Sequence, residues 1–117
     1  MVKLFLAEDN ADLMRLMKLH LEQEGYKDLI TAFSIAQAID PDKIKEIKEA
    51  GVKIAVLDGN LGTSNAGEDG EKIAQVLRQE IPGIKIISFS FTKVSFGDIN
   101  VKKPEAEELL AAIKKFE

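Results

Sequence analysis

The chain has no cysteine, a single histidine and only three prolines. Without cysteine, neither a disulfide framework nor a thiolate metal site can form. His20 has no cysteine or second histidine near it in sequence, so packing or surface exposure is a better reading for it than catalysis or metal binding. Met14 and Met17 read as helix core or surface rather than as a cofactor box. No apolar run approaches the length of a membrane span. The N-terminal stretch meets acidic residues by position 8, too early for a secretory leader. A cytoplasmic location is therefore expected, with no membrane partner. A net charge of -4 provides no basic excess for a nucleic-acid face, so no nucleic-acid partner is expected either. There is no low-complexity linker and no internal repeat. Hydrophobic residues make up 45% of the chain, enough for one core, and a single domain over residues 1–117 is expected.

What is present is alternation of apolar strands with amphipathic helices. Residues 2–7, 29–33, 52–57 and 84–89 are short, mainly apolar runs suited to strands, the first to one covered on both faces, and 99–102 reads as a short fifth strand. Leu13, Leu16, Met17 and Leu21 recur at helical spacing after a capping Asp9 or Asn10, and Gly25 ends that helix. Ser34 starts a short helical piece. Asp40-Pro41 is a cap followed by proline at the first helical position, and Ile44 and Ile47 form the apolar stripe of the helix that ends at Gly51. Asp69-Gly70 opens a helix carrying Ile73, Ala74, Val76 and Leu77, stopped by Pro82-Gly83. Pro104 sets the first turn of a last helix with Leu109, Leu110, Ile113 and Phe116 inward. Residues 59–69 form a long glycine-containing loop. Strand-helix alternation of this kind predicts a doubly wound α/β fold, a five-stranded parallel sheet with helices on both faces. Its site lies beyond the carboxyl ends of the strands, where the strand order reverses.

Those ends carry the chemistry. Glu8 and Asp9 follow the first strand, Asp58 the third, Ser90 the fourth and Lys103-Pro104 the fifth. Carboxylates gathered at one edge repel one another unless they bind a cation or take up protons. Mg²⁺ prefers oxygen ligands and retains several waters. Asp9 and Asp58 suit direct ligation, Glu8 direct or water-mediated ligation, and the backbone carbonyl of Asn60 is a further candidate. A carboxylate can accept a phosphoryl group from a good donor, and catalysis of that transfer is mostly positioning and charge neutralisation. Lys103 supplies a positive charge and Ser90 a hydrogen bond. A cis bond at Lys103-Pro104 would aim the lysine inward.

At this point the chain resembles the receiver domain of two-component response regulators over nearly its whole length. The resemblance rests on Leu6-Ala7-Glu8-Asp9-Asn10, Val56-Leu57-Asp58, Asp69-Gly70, Ile86-Ile87-Ser88-Phe89-Ser90 and Lys103-Pro104. It implies a flavodoxin-like doubly wound sheet of order 2-1-3-4-5, that Asp58 is the phosphoacceptor, that Glu8 and Asp9 bind Mg²⁺, that Ser90 is the switch hydroxyl and that Lys103 senses the phosphoryl group. It also implies a phosphohistidine donor, on a sensor histidine kinase or a histidine phosphotransfer protein. The only reactions implied are Mg²⁺-dependent self-phosphorylation and self-dephosphorylation. Output would pass to a downstream protein by contact or by onward transfer.

Four features depart from the family. The loop from Asp58 to Gly70 is longer and lacks the usual proline, and it could cover the acceptor. Phe91 follows Ser90 where a small residue is usual. Asn100 stands where most receivers carry the switch aromatic. Only residues 91–102 separate Ser90 from Lys103, too few for the usual helix there, so that helix is expected to be absent or reduced and residues 91–98 to be the mobile part. A pseudo-receiver that binds a partner without being phosphorylated is the alternative. A Mg²⁺-dependent phosphohydrolase ranks below both, because Asn60 stands where its second acid-base carboxylate belongs.

Overall fold

The computed structural model describes residues 1–61 and 67–117. Its elements are β1 (Leu4–Ala7), α1 (Ala11–Gln23), β2 (Ile30–Ala32), α2 (Ile35–Ala38), α3 (Pro41–Glu49), β3 (Ile54–Leu57), α4 (Glu68–Glu80), β4 (Lys85–Ser90), β5 (Ile99–Lys102) and α5 (Ala106–Phe116). All strand pairs are parallel, in the order β2-β1-β3-β4-β5. This is the flavodoxin-like doubly wound order that the resemblance implied, with no helix between β4 and β5.

Side chains alternate across the sheet, so each strand feeds two cores. Phe5, Ala7, Ala55, Leu57 and Ile86 face α2, α3 and α4, where Ile44, Ile47, Ile73, Ala74 and Leu77 meet them. Leu4, Leu6, Ile54, Val56, Ile87 and Phe89 face α1 and α5, against Met14, Met17, Leu21, Leu109 and Ile113. All four residues of β1 and of β3 are buried, which fixes these two strands at the centre of the sheet. Burying each large apolar side chain contributes about 1.5–3 kcal/mol.

Helix starts are set locally. Asn10 Oδ1 accepts from the amides of Asp12 and Leu13, Ser34 accepts from Gln37, and Asp40 accepts from Asp42 with Pro41 just behind it. Gly25 takes a φ of +99° beyond the end of α1, a conformation glycine tolerates without strain. The last helix differs from expectation. It opens at Ala106 rather than at Pro104, because residues 103–105 make a turn in which the Lys103–Pro104 bond is cis.

Candidate functional site

The strand order reverses between β1 and β3: β2 lies on one side of β1, and β4 and β5 lie beyond β3. The carboxyl ends of the central strands therefore meet. Register pairs Ala7 with Leu57, which sets Glu8 beside Asp58. The amide of Asp58 donates to the Ala7 carbonyl and that of Glu8 to the Ala32 carbonyl, so both carboxylates leave the sheet from hydrogen-bonded backbone. On the far side, Ser90 ends β4, and its carbonyl accepts from the amide of Lys103.

The side chains converge. Lys103 Nζ donates to Glu8 Oε1 and to Asp58 Oδ2, the latter at 3.1 Å. Glu8, Asp58, Ser90 and Lys103 are all buried, and Asp9 is exposed. Glu8 Oε2 also accepts from the Asn10 amide at 3.1 Å. Asp58 Oδ1 accepts from the amide of Asn60 at 3.3 Å. The Lys103 ammonium also lies 5.4 Å from the Phe91 ring centre and 5.9 Å from that of Phe89. Phe91 remains 62% exposed, so it borders the lysine without sealing it off.

Burial pushes the Glu8 carboxyl up to about 7, against its ordinary 4.5. The hydrogen bonds from Lys103 and Asn10 oppose that rise, and the nearby Asp58 charge adds to it. A buried ammonium shared by two carboxylates offsets only part of their cost of desolvation. The remaining negative charge makes this edge a candidate cation site. Glu8, Asp9 and Asp58 each offer one oxygen, all within 4.8 Å of one another, and no other such group of acids occurs among the described residues. Ligands of an octahedral Mg²⁺ at about 2.1 Å stand roughly 3–4 Å apart, so the donor set fits after slight closure. Asp9, facing solvent, leaves room for retained waters.

Asn60 sits in the loop after Asp58, and its side chain ties that loop together. Asn60 Oδ1 accepts from the Gly67 amide at 2.8 Å, and Nδ2 donates to Thr92 Oγ1 at 2.8 Å. The expectation that this loop covers the acceptor falls on residues 62–66, which lie outside the described residues.

Sequence reasoning missed several residues that hold the site. Asp69 is buried and its Oδ2 accepts from the Leu61 amide at 2.8 Å, bracing the loop from the helix side. Thr92 donates its amide to Ser90 Oγ at 3.2 Å while receiving Asn60. The segment 91–98 then packs Val94 and Phe96 onto glycines. A Cβ at Gly67 would come within 2.4 Å of Val94 Cγ1. One at Gly70 would lie 2.5 Å from the Phe96 ring and 2.4 Å from the Asp58 carbonyl oxygen. The signal was available in the spacing of Gly59, Gly67 and Gly70, read only as loop punctuation. These glycines let a strap of eight residues lie where a helix would otherwise pack.

The sequence matches no protein-family model and no curated protein. Among solved structures, it is similar to a CheY-like response-regulator receiver domain from Methanospirillum hungatei JF-1. That match has 20% identity and a TM-score of 0.78, over 98% of this chain and 92% of that one. The signal receiver domain of an HD domain-containing protein from Pseudomonas fluorescens Pf-5 is similar at 17% identity. Its TM-score is 0.78, over 98% of this chain and 93% of that one. A beryllofluoride-activated receiver domain, DrrB, matches at 21% identity with a TM-score of 0.74, covering 99% and 97%. The fold is that of the response-regulator receiver domain.

Proposed function

We propose that the protein is a phosphorylatable receiver of a two-component system, with Asp58 as phosphoacceptor and Mg²⁺ as cofactor. The observation that carries this reading is the convergence of Glu8, Asp9, Asp58 and Lys103 on one edge of a receiver-type sheet. Asp58 Oδ2 is the attacking atom, held now by Lys103. Glu8, Asp9 and Asp58 would hold Mg²⁺, with the Asn60 carbonyl as a further ligand. When bound, the metal supplies positive charge for the developing phosphoryl oxygens. Lys103, now shared between Glu8 and Asp58, would pair with a phosphoryl oxygen where those carboxylates were engaged by the metal. The Ser90 hydroxyl, which accepts from the Thr92 amide, would donate its proton to another phosphoryl oxygen. The donor is a phosphohistidine on a sensor histidine kinase or histidine phosphotransfer protein, and output passes to a downstream protein in the cytoplasm. The chemistry is limited to self-phosphorylation and self-dephosphorylation.

One arrangement favours the second reading, a pseudo-receiver working by contact alone. Thr92 occupies both Ser90 Oγ and Asn60 Nδ2, so the switch hydroxyl starts out engaged. Incubation with acetyl phosphate separates the two readings. A receiver gains one phosphoryl mass in the presence of Mg²⁺ and not in its absence, and Asp58→Asn gains none. Labelling that persists in Asp58→Asn places the acceptor elsewhere, and no labelling of the parent chain favours the pseudo-receiver.

A further inference from the structure

The space left by the missing helix is not a bare apolar face. On β4 and β5, side chains alternate strictly. Ile87, Phe89, Ile99 and Val101 turn toward α5, while Ser88, Ser90, Asn100 and Lys102 turn to the face where the helix would lie. A sheet face covered on both sides carries apolar residues throughout, as β1 and β3 do. On this one face Ser88 and Ser90 are buried on β4 while Asn100 and Lys102 are exposed on β5, so the polar run reaches water at its β5 side.

The strap closes over part of that face and leaves a cavity of about 350 Å³. Its polar walls are Ser88, Ser90, Thr92, Lys93, Asn100 and Lys102, and no carboxylate lines it. The other cavities differ in kind. The one beside α2 and α3 carries Asp40, Asp42 and Glu46 with Lys43, the one between α3 and α4 carries Glu80 with Lys45 and Lys48, and the one between α1 and α5 is almost wholly apolar. The hydrogen-bonding state of the walls points the same way. Ser88 Oγ donates to Asn100 Oδ1, which also accepts from the Gly97 amide, so that oxygen is already used. The Asn100 amide nitrogen has one partner, the Gly97 carbonyl at 3.3 Å, and a second proton to give. Ser90 and Thr92 each act as acceptor, from the Thr92 amide and from Asn60 respectively. The hydroxyl protons of Ser90 and Thr92 have no acceptor among the described residues. Lys93 and Lys102 likewise have no ion-pair partner among the described residues. In a chain of net charge -4, this cavity offers donors and positive charge and almost no free acceptor.

We propose that this cavity is a binding site for a small organic anion, a phosphate monoester or a compact carboxylate. The Lys93 and Lys102 ammonium groups supply charge, and Ser90, Thr92 and Asn100 donate hydrogen bonds. The volume is at the small end of ligand pockets, which suits a metabolite-sized anion rather than a cofactor. The proposal stands independently of phosphorylation, since Asp58 does not line the cavity. Ser90 belongs to both places, so a bound anion that engages its hydroxyl would compete with a phosphoryl group for the same proton.

The test is an amide NMR titration of Mg²⁺-free protein with inorganic phosphate and with glycerol 3-phosphate. Saturable shifts are expected at Ser88, Thr92, Asn100 and Lys102, and unchanged in Asp58→Asn. The double variant Lys93→Gln/Lys102→Gln, altered only at exposed positions, should weaken binding by about tenfold or more, because charge-assisted contacts are the strong ones. Asn100→Asp keeps the acceptor for Ser88 and Gly97 but places a negative charge in the wall, and should abolish binding. The proposal is overturned by an absence of saturable shifts with both probes. It is equally overturned by undiminished affinity in the double lysine variant, or by shifts centred on Glu8 and Asp9 that vanish in Asp58→Asn.

Discussion

The two halves of the sheet are built to different rules. In the half containing β1 and β3, every residue is apolar and buried, helices lie on both faces, and the chemistry is confined to the strand ends. In the half containing β4 and β5, one face packs on α5, and the other is buried at Ser88 and Ser90 but exposed at Asn100 and Lys102. Four polar side chains face the other way, and an eight-residue strap takes the place of a helix. The site spans the boundary between these halves. Its carboxylates come from the β1–β3 half, and its hydroxyl and ammonium, both buried, from the β4–β5 half. The missing helix is thus matched by the composition of the strands beside it, which is how a loss of cover becomes tolerable. A half-open face of apolar residues would be an aggregation hazard on an edge strand, and this one instead ends in Asn100 and Lys102.

Substitutions can sharpen the contrast, starting in the covered half. Leu57→Ala removes a fully buried side chain between β3 and the helices, and should cost about 2–5 kcal/mol in denaturant unfolding. Gly70→Ala tests the strap. The added methyl would meet the Asp58 carbonyl oxygen and the Phe96 ring, so a loss of about 1–3 kcal/mol is expected together with weakened Mg²⁺ binding. An unchanged Mg²⁺ affinity in that variant would show that the strap does not hold the acceptor loop.

Titration separates the halves next. Glu8 has a folded pKa of about 7, above its unfolded value of 4.5. Between those values the folded protein binds the extra proton. The associated stability is present below about pH 4.5 and is lost as pH rises through 7. Metal-free protein should therefore melt at lower temperature at pH 7.5 than at pH 5.5, and Glu8→Gln should flatten that dependence. Mg²⁺ affinity should rise over the same interval, because the ion competes with the Glu8 proton. The smallest effect belongs to the open face. Lys102→Gln should change unfolding free energy by no more than about 0.5 kcal/mol, as expected of an exposed side chain without an ion pair.

Much of this was legible in the sequence, and the limits are physical. The parallel sheet, the acidic pair at the end of β1 and the absent helix follow from alternation, strand-end residues and chain length, and the strand order from the resemblance. Lys103 was placed by position, but its simultaneous contact with Glu8 and Asp58 depends on three strand ends meeting in space. The bracing by Asp69, Asn60 and Thr92 was not legible, since each bond joins residues 7 to 32 positions apart through loops of no fixed period. The start of α5 was misjudged by two residues, because proline at position 104 sits in a turn rather than in the first turn of the helix. The alternation of Ser88, Ser90, Asn100 and Lys102 was in plain view. It carries meaning only once β4 and β5 are known to be neighbours in register.

The strap also sets a question of motion. It is pinned at Thr92 to Asn60 and Ser90, and at Asp98 to the backbone of Ile86, whose amide Asp98 Oδ2 accepts at 2.8 Å. If it is the switching element, backbone relaxation dispersion should detect exchange in 91–98 of the free protein, quenched when the phosphoryl site is filled. Identical dynamics in both states would leave the strap a fixed structural feature.

The central claim is that the ends of β1, β3, β4 and β5 act as one phosphoryl site. Beryllofluoride, a mimic of the acyl phosphate, tests it most directly when titrated with Mg²⁺ and followed by amide and lysine side-chain NMR. The account predicts stoichiometric, Mg²⁺-dependent binding that shifts Glu8, Asp9, Asp58, Ser90 and Lys103 together, and that is absent in Asp58→Asn. Binding that leaves Ser90 and Lys103 unmoved, or no binding at any Mg²⁺ concentration, would contradict it.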